Sequence, residues 1–156
     1  MKILVLGIGN TLLSDEGVGV HVVRSLQTMG LPEEVELLDG GTLSFTLAGP
    51  IEEAEALVVV DAAQLNSAPG TVAVFRGEDM DRFLTGNRKS TVHEVGLIDL
   101  MTIAQLVGRW PARRALVAIQ PHTVDWGEVP TPCVAAVVPQ ACRQVVELLE
   151  AWHDAP

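Results

Sequence analysis

The chain is short of several things, and each shortage excludes something. Only two of its 156 residues are cysteine, Cys133 and Cys142. They are nine apart in what reads as one helical stretch. That spacing puts them on opposite faces and ~13 Å apart along the axis. A disulfide needs Cα atoms within ~7 Å, so two buried, reduced thiols are expected. Basic residues are scarce as well, ten Lys and Arg against twenty Asp and Glu, for a formal net charge of −10. Such a surface repels a phosphate backbone and argues against a nucleic-acid partner. No apolar run approaches the ~20 residues needed to cross a bilayer. The opening KILVLGIGN carries one Lys and a short apolar run with no small-residue cleavage site behind it, so it is not read as a signal peptide. A cytoplasmic, monomeric protein is expected, of a size for one domain spanning residues 1–156.

Strand and helix signals alternate along the chain. KILVLG (2–7) reads as a buried strand, and DEGVGVHVVRSLQTMG (15–30) as a helix with Ser14 at its N-cap and Gly30 as its stop. VELLD (35–39) is a second strand ended by two glycines. Residues 42–54 suggest a short helix broken or bent near Gly49-Pro50. EALVVVDA (55–62) is apolar on both faces, which implies a sheet covered by helices on both sides. TVAVFRG (71–77) follows too closely for a helical crossover and is expected antiparallel or at an edge. A helix over 93–110, a strand over 112–121 and one helix from Pro132 to about Trp152 complete the pattern. The fold class is α/β: a single three-layer α/β/α sandwich on a twisted, mostly parallel sheet of about five strands.

GIGNTLLSDEG (7–17) follows the first strand, where a glycine loop usually holds an anion. The dinucleotide fingerprint fits at Gly7, Gly9 and Asp39 but fails at its third glycine, which is Leu12. Asp15 and Glu16 would also face the pyrophosphate. Two unit charges ~4 Å apart repel by about 4 kcal/mol at an effective dielectric of 20. The helix dipole offers roughly 0.3–1 kcal/mol in return. No Gly-Lys-Ser/Thr makes a phosphate loop, and no G-x-S-x-G makes a nucleophile elbow. Ser14, Ser44 and Ser90 lack an evident His-and-acid partnership. HEVGL is not a zinc-protease helix, because position 97 is Leu.

Three polar residues stand at junctions where a cleft forms in such folds: Glu16 after the first strand, Asp61 at the end of LVVVD, and His93 at the start of HEVGL. Singly, each has a structural explanation, as a first-turn acid, a strand-end cap or a helix-start residue. Together, two carboxylates and an imidazole suit a divalent metal and leave positions open for water or substrate. His122 is a weaker polar candidate, and His21 lies inside a helix.

GIGNTLLSDEGVG (7–19), DGGT (39–42), VVVDA (58–62), STVHEVGL (90–97) and IQPHTVDWG (119–127) together resemble the hydrogenase maturation endopeptidases, in the family's order and across the whole chain. The resemblance implies a protease that trims the C-terminal extension of the precursor large subunit of a nickel–iron hydrogenase. The precursor, already carrying nickel, is the implied partner, and that nickel is the implied recognition element. The family's metal ligands fall on Glu16, Asp61 and His93, which double as catalytic residues. Asp39, Gly40, Gly41 and Thr42 would form a substrate-positioning loop at the cleft mouth; otherwise Asp-Gly-Gly is a tight turn.

The metal could polarise the scissile carbonyl or activate a water, with Asp15 or Asp39 shuttling a proton. Paired carboxylates sharing a proton, an aspartyl-type mechanism, also fit the acids; the His at a third site favours the metal. A non-catalytic nickel-binding maturation chaperone would use the same three ligands. The acidic surface would steer in a substrate with basic patches.

Overall fold

The computed structural model describes residues 1–86 and 96–155. His93 and the start of the expected 93–110 helix therefore lie outside the described residues.

Five strands form one sheet in the order β2-β1-β3-β5-β4. They are β1 (Ile3–Ile8), β2 (Val35–Gly41), β3 (Ala56–Ala62), β4 (Val72–Arg76) and β5 (Arg113–Ile119). β1, β2, β3 and β5 run parallel, and β4 pairs antiparallel with β5 at the sheet edge, as its short connection required. The α/β class and the mostly parallel five-stranded sheet agree with the sequence pattern.

Alternate residues of the central strands feed two cores. Ile3, Val5, Val58, Val60, Val117 and Ile119 pack with α1 (Val18–Leu26) and α6 (Val138–Asp154). Leu4, Leu6, Leu57, Val59 and Leu116 pack with α2 (Ala48–Glu53), α3 (Glu78–Gly86) and α4 (Leu97–Leu106). Both faces of the sheet are covered, which is why the strands read as unbroken apolar runs.

Several local expectations are corrected. The helix expected from residue 15 begins at Val18, preceded by a 3-10 turn over Ser14–Gly17. Ser14 is no N-cap: it sits at φ +49°, and its hydroxyl donates to the Asp125 carbonyl at 2.8 Å. β2 does not stop at Asp39 but runs through Gly40 and Gly41, where its register against β1 shifts. Asp-Gly-Gly is thus the irregular end of a strand. Gly49-Pro50 does not break a helix. Both residues lie in the first turn of α2, where Pro50's missing N–H has no intrahelical acceptor to lose.

The last helix is two helices, α5 (Pro132–Ala135) and α6. Pro139, in the first turn of α6, cannot donate to the Ala135 carbonyl, so α5 does not run on into α6. Cys142 is buried as expected, whereas Cys133 is exposed, and both are free thiols.

α3 has no counterpart among the sequence expectations. Its placement rests on a half-buried clasp. Arg114 grips Asp81 with two nitrogens (Nε–Oδ1 2.9 Å, Nη2–Oδ2 2.6 Å), and Trp110 Nε1 donates to the same carboxylate at 3.0 Å. Phe83 stacks on Phe75 of β4 with ring centroids 4.2 Å apart.

Candidate active site

β1 hands the chain through α1 to β2 on one side, while the chain leaving β3 goes on to β4 and β5 on the other. The crevice of a doubly wound sheet lies at such a divergence, beyond the carboxyl ends of the strands. Glu16 follows β1 and Asp61 is the penultimate residue of β3, so both sit at that divergence. Both are half-buried, and the turn carrying Glu16 packs against β3.

Glycines let that turn lie so low. A Cβ on Gly19 would stand 2.1 Å from the Val60 carbonyl oxygen and 2.6 Å from that of Ile8. The start of α1 therefore rests directly on β1 and β3. Gly9, at φ +134°, would place a Cβ 1.9 Å from the Glu16 carbonyl oxygen. The close helix–strand approach that Leu12 denies to a dinucleotide site is supplied at Gly19 instead. Asn10 shapes the loop between them: its Oδ1 accepts the Leu12 N–H at 2.9 Å, a local side-chain turn.

Asp15, beside Glu16, has a different task from the one its sequence position suggested. Its side chain is fully buried. It accepts the N–H groups of His122 (2.8 Å), Thr123 (3.0 Å) and Thr131 (2.7 Å), and the Thr131 hydroxyl (2.8 Å). Burial pushes its pKa up, but these four bonds outweigh burial and hold it below the ordinary value. A carboxylate so committed has no place as a proton shuttle. It fastens the segment 121–131 over the loop that presents Glu16. The Ser14 N–H donates to the Gly127 carbonyl (2.8 Å), the Gly127 N–H to Leu12 (2.9 Å) and the Asp15 N–H to Thr123 (3.2 Å). No spacing rule could have found Thr123 and Thr131 as its partners, because they lie 108 and 116 residues away.

Asp39 is also engaged. Its Oδ1 accepts the Gly41 N–H at 2.9 Å, and its Oδ2 lies 3.6 Å from Arg24 Nη2. That arrangement makes it a brace for Gly41 at the end of β2. The brace adjoins the glycine loop, since the Gly9 N–H donates to the Gly41 carbonyl at 2.8 Å. His122 is exposed and meets Asp15 only through its backbone. His21 Nε2 is buried and lacks a hydrogen-bond partner among the described residues. Burial first, and then Arg24, lower its pKa, with Asp39 opposing. Gln120, at the end of β5, accepts the Leu65 N–H through Oε1 at 2.6 Å and ties the loop after β3 to the same rim.

Among the described residues, no three His, Cys, Asp or Glu side chains gather as a metal cluster; the third expected ligand, His93, lies outside them. Of the described acids, Glu16 follows β1, Asp61 lies at the end of β3, Asp15 holds the segment 121–131 and Asp39 lies near the end of β2.

Residues 20–148 match the family model of the hydrogenase maturation proteases. The chain belongs to that family. It is 37% identical to the hydrogenase 2 maturation protease of Escherichia coli K12, over 99% of this chain and all of that one. It is 42% identical to the hydrogenase expression/formation protein HupD of Rhodobacter capsulatus, over 97% of this chain and 72% of HupD. The hydrogenase maturating endopeptidase HybD of E. coli superposes with a TM-score of 0.88 at 36% identity, covering 97% of this chain and 93% of its own. This maturation protease shares their α/β fold, and the family assignment agrees with the motif resemblance. Among the described residues, none of its helices is long and apolar enough to cross a membrane.

Proposed function

We propose that this protease removes the C-terminal extension of the nickel-loaded precursor large subunit of a nickel–iron hydrogenase. The precursor's own nickel serves as the recognition element, met by Glu16, Asp61 and His93. The observation that carries this reading is that the turn bearing Glu16 packs against β3, the strand whose carboxyl end bears Asp61. The glycine loop and the Asp15 clasp hold that arrangement in place. A donor set of two carboxylates and an imidazole suits a divalent ion of borderline softness. Nickel arrives with the substrate, so metal and peptide are tested together, and generic peptides escape.

The chemistry asked of the chain is peptide hydrolysis. A water oxygen bonds to the scissile carbonyl carbon and gives up a proton. The C–N bond breaks, and the leaving nitrogen takes a proton. We assign that proton to Glu16 or Asp61, the carboxylates after β1 and at the end of β3.

The test follows the mass of nickel-loaded precursor mixed with the protease. Parallel reactions use metal-free precursor and the Glu16→Gln, Asp61→Asn and His93→Ala variants. The expected result is loss of a short C-terminal peptide that requires nickel and each of the three residues. Cleavage of metal-free precursor at a comparable rate would defeat nickel recognition. An unchanged mass with nickel-dependent binding would point to a maturation chaperone.

A further inference from the structure

Four of the nine large exposed apolar side chains among the described residues sit on two loops that touch. Trp126 is 80% exposed, Val129 71%, Leu12 51% and Val124 50%. The loops are joined at the Gly127 N–H to Leu12 carbonyl bond and by the Leu13–Gly127 bridge. Leu12 lies on the same β1–α1 connection as Glu16, and Asp15, beside Glu16, holds the second loop.

The strap carrying Val124, Trp126 and Val129 is not loose. Asp15 grips it at His122, Thr123 and Thr131, and Ser14 grips its middle through Asp125 and Gly127. A Cβ on Gly127 would meet Ser14 Oγ at 2.6 Å and displace it from its bond to Asp125. A tryptophan held outward on a segment fastened at both ends and in the middle is preorganised for contact. It loses little freedom when covered, and Trp is the residue type most enriched among binding hot spots.

We infer that this strap, with Leu12, is the docking surface for the protein substrate: a polypeptide segment whose apolar side chains cover Trp126, Leu12 and Val129 and whose Lys or Arg residues meet Asp125 and Glu128. The inference rests on the proposed processing of a protein precursor and names where that precursor is held. Charge selects the occupant. Asp125 and Glu128 flank Trp126, both are exposed, and neither forms an ion pair among the described residues. Residues 120–131 contain no Lys or Arg. In a two-fold dimer the same patch would face itself, setting acid against acid on a chain of net charge −10. A basic partner gains where a second copy would be repelled.

The test measures kinetics on nickel-loaded precursor for the full-length protease and for Trp126→Ala, Leu12→Ser and the Asp125→Asn/Glu128→Gln pair. Sedimentation is run on each. Loss of a hot-spot side chain is expected to raise KM by roughly 10- to 100-fold, with kcat within about twofold, since uniform binding is what is lost. The charge variant should flatten the salt dependence of kcat/KM. Trp126→Ala and Leu12→Ser at wild-type KM would overturn the inference. So would a wild-type dimer that Trp126→Ala converts to monomer. If wild-type protein binds the precursor without cutting it, the processing reading fails. Docking is then still decided by whether Trp126→Ala weakens that binding.

Discussion

Thr131 donates twice to Asp15, through its backbone N–H at 2.7 Å and its hydroxyl at 2.8 Å, across 116 residues of chain. The N–H is on Oδ1, while the hydroxyl shares Oδ2 with the His122 and Thr123 N–H groups; this is the joint between the start of the chain's first crossover and the segment after its last strand. Removing charge from the joint is predicted to be costly even when shape is kept. In Asp15→Asn, either orientation of the amide points its NH2 at backbone N–H donors that need an acceptor. The loss of charge-assisted bonds and the buried donors left unmet should cost about 3 kcal/mol. In a chain of this size that lowers the melting temperature by on the order of 10 °C. Thermal denaturation of the two proteins checks it, and a change of a degree or two would refute it.

The same carboxylate sets an acid limit. Its folded pKa lies below the ordinary 3.8, so its contribution is present above the unfolded value and lost as pH falls through the folded one. Wild type should therefore exceed Asp15→Asn in stability by a constant margin from neutral pH down to about 4. Below that the margin should shrink. Urea titrations of both proteins at a series of pH values read the margin directly.

His21 predicts a second window. Burial and Arg24 lower its folded pKa below the ordinary 6.5, against the pull of Asp39. The unfolded chain then binds the proton more readily, so stability falls as pH drops below about 6.5. His21→Leu should flatten that decline. It should also lose little stability at pH 8, because the Nε2 it removes has no hydrogen-bond partner among the described residues.

Much of the scaffold was legible because burial on both faces writes strands as apolar runs: LVLG, LVVVDA and ALVAI are β1, β3 and β5. What escaped depended on partners far away in sequence. EDMDRFLTG carries three acids in its first turn, and its apolar face is only Met80, Phe83 and Leu84, too short a run to stand out in the sequence. That face packs into the core, and Asp81 is held by Arg114 and Trp110 some 30 residues on. Gly40 and Gly41 read as a turn because glycine disfavours strands, yet β1 offers a pairing edge that carries β2 through them. Of the candidate site, Glu16 and Asp61 stood at recognisable junctions. Asp15 looked like a neighbour of the chemistry, because nothing local reveals that a carboxylate is spent on backbone donors more than 100 residues away.

The α3 clasp can be tested apart from the site. Asp81→Ala strips the two-nitrogen grip from Arg114 and the acceptor from Trp110 Nε1, leaving a mostly buried guanidinium unpaired. The expected loss is about 2–3 kcal/mol, below the 3–5 typical of a fully buried pair because both side chains keep some solvent. Arg114→Met alone should cost less than Asp81→Ala, since the carboxylate it leaves is the more exposed partner and keeps Trp110 Nε1 as a donor. Processing of precursor well below the melting temperature should be unchanged in both, as the clasp lies outside the cleft. A melting temperature unmoved by Asp81→Ala would show the clasp to be ornamental.

A pair of glycines offers the sharpest contrast. Gly19 and Gly49 both lie in helices, and helix propensity favours alanine over glycine by about 1 kcal/mol at either. Around Gly49 nothing lies within 4 Å of a new Cβ, so Gly49→Ala should stabilise by roughly 0.5–1 kcal/mol. At Gly19 the same methyl would meet the Val60 and Ile8 carbonyl oxygens at 2.1 and 2.6 Å. Backbone atoms of two central strands cannot yield, so α1 must lift. Overpacking of this kind costs about 1–3 kcal/mol or more, and the lift carries Glu16 away from Asp61. A displacement of ~1 Å at reacting groups is enough for a roughly 100-fold loss of rate. Gly19→Ala should accordingly lose precursor processing further than its melting temperature falls. Gly49→Ala should gain stability at unchanged rate. If Gly19→Ala processed precursor at the wild-type rate, the seating of α1 on β1 and β3 would not be what positions Glu16.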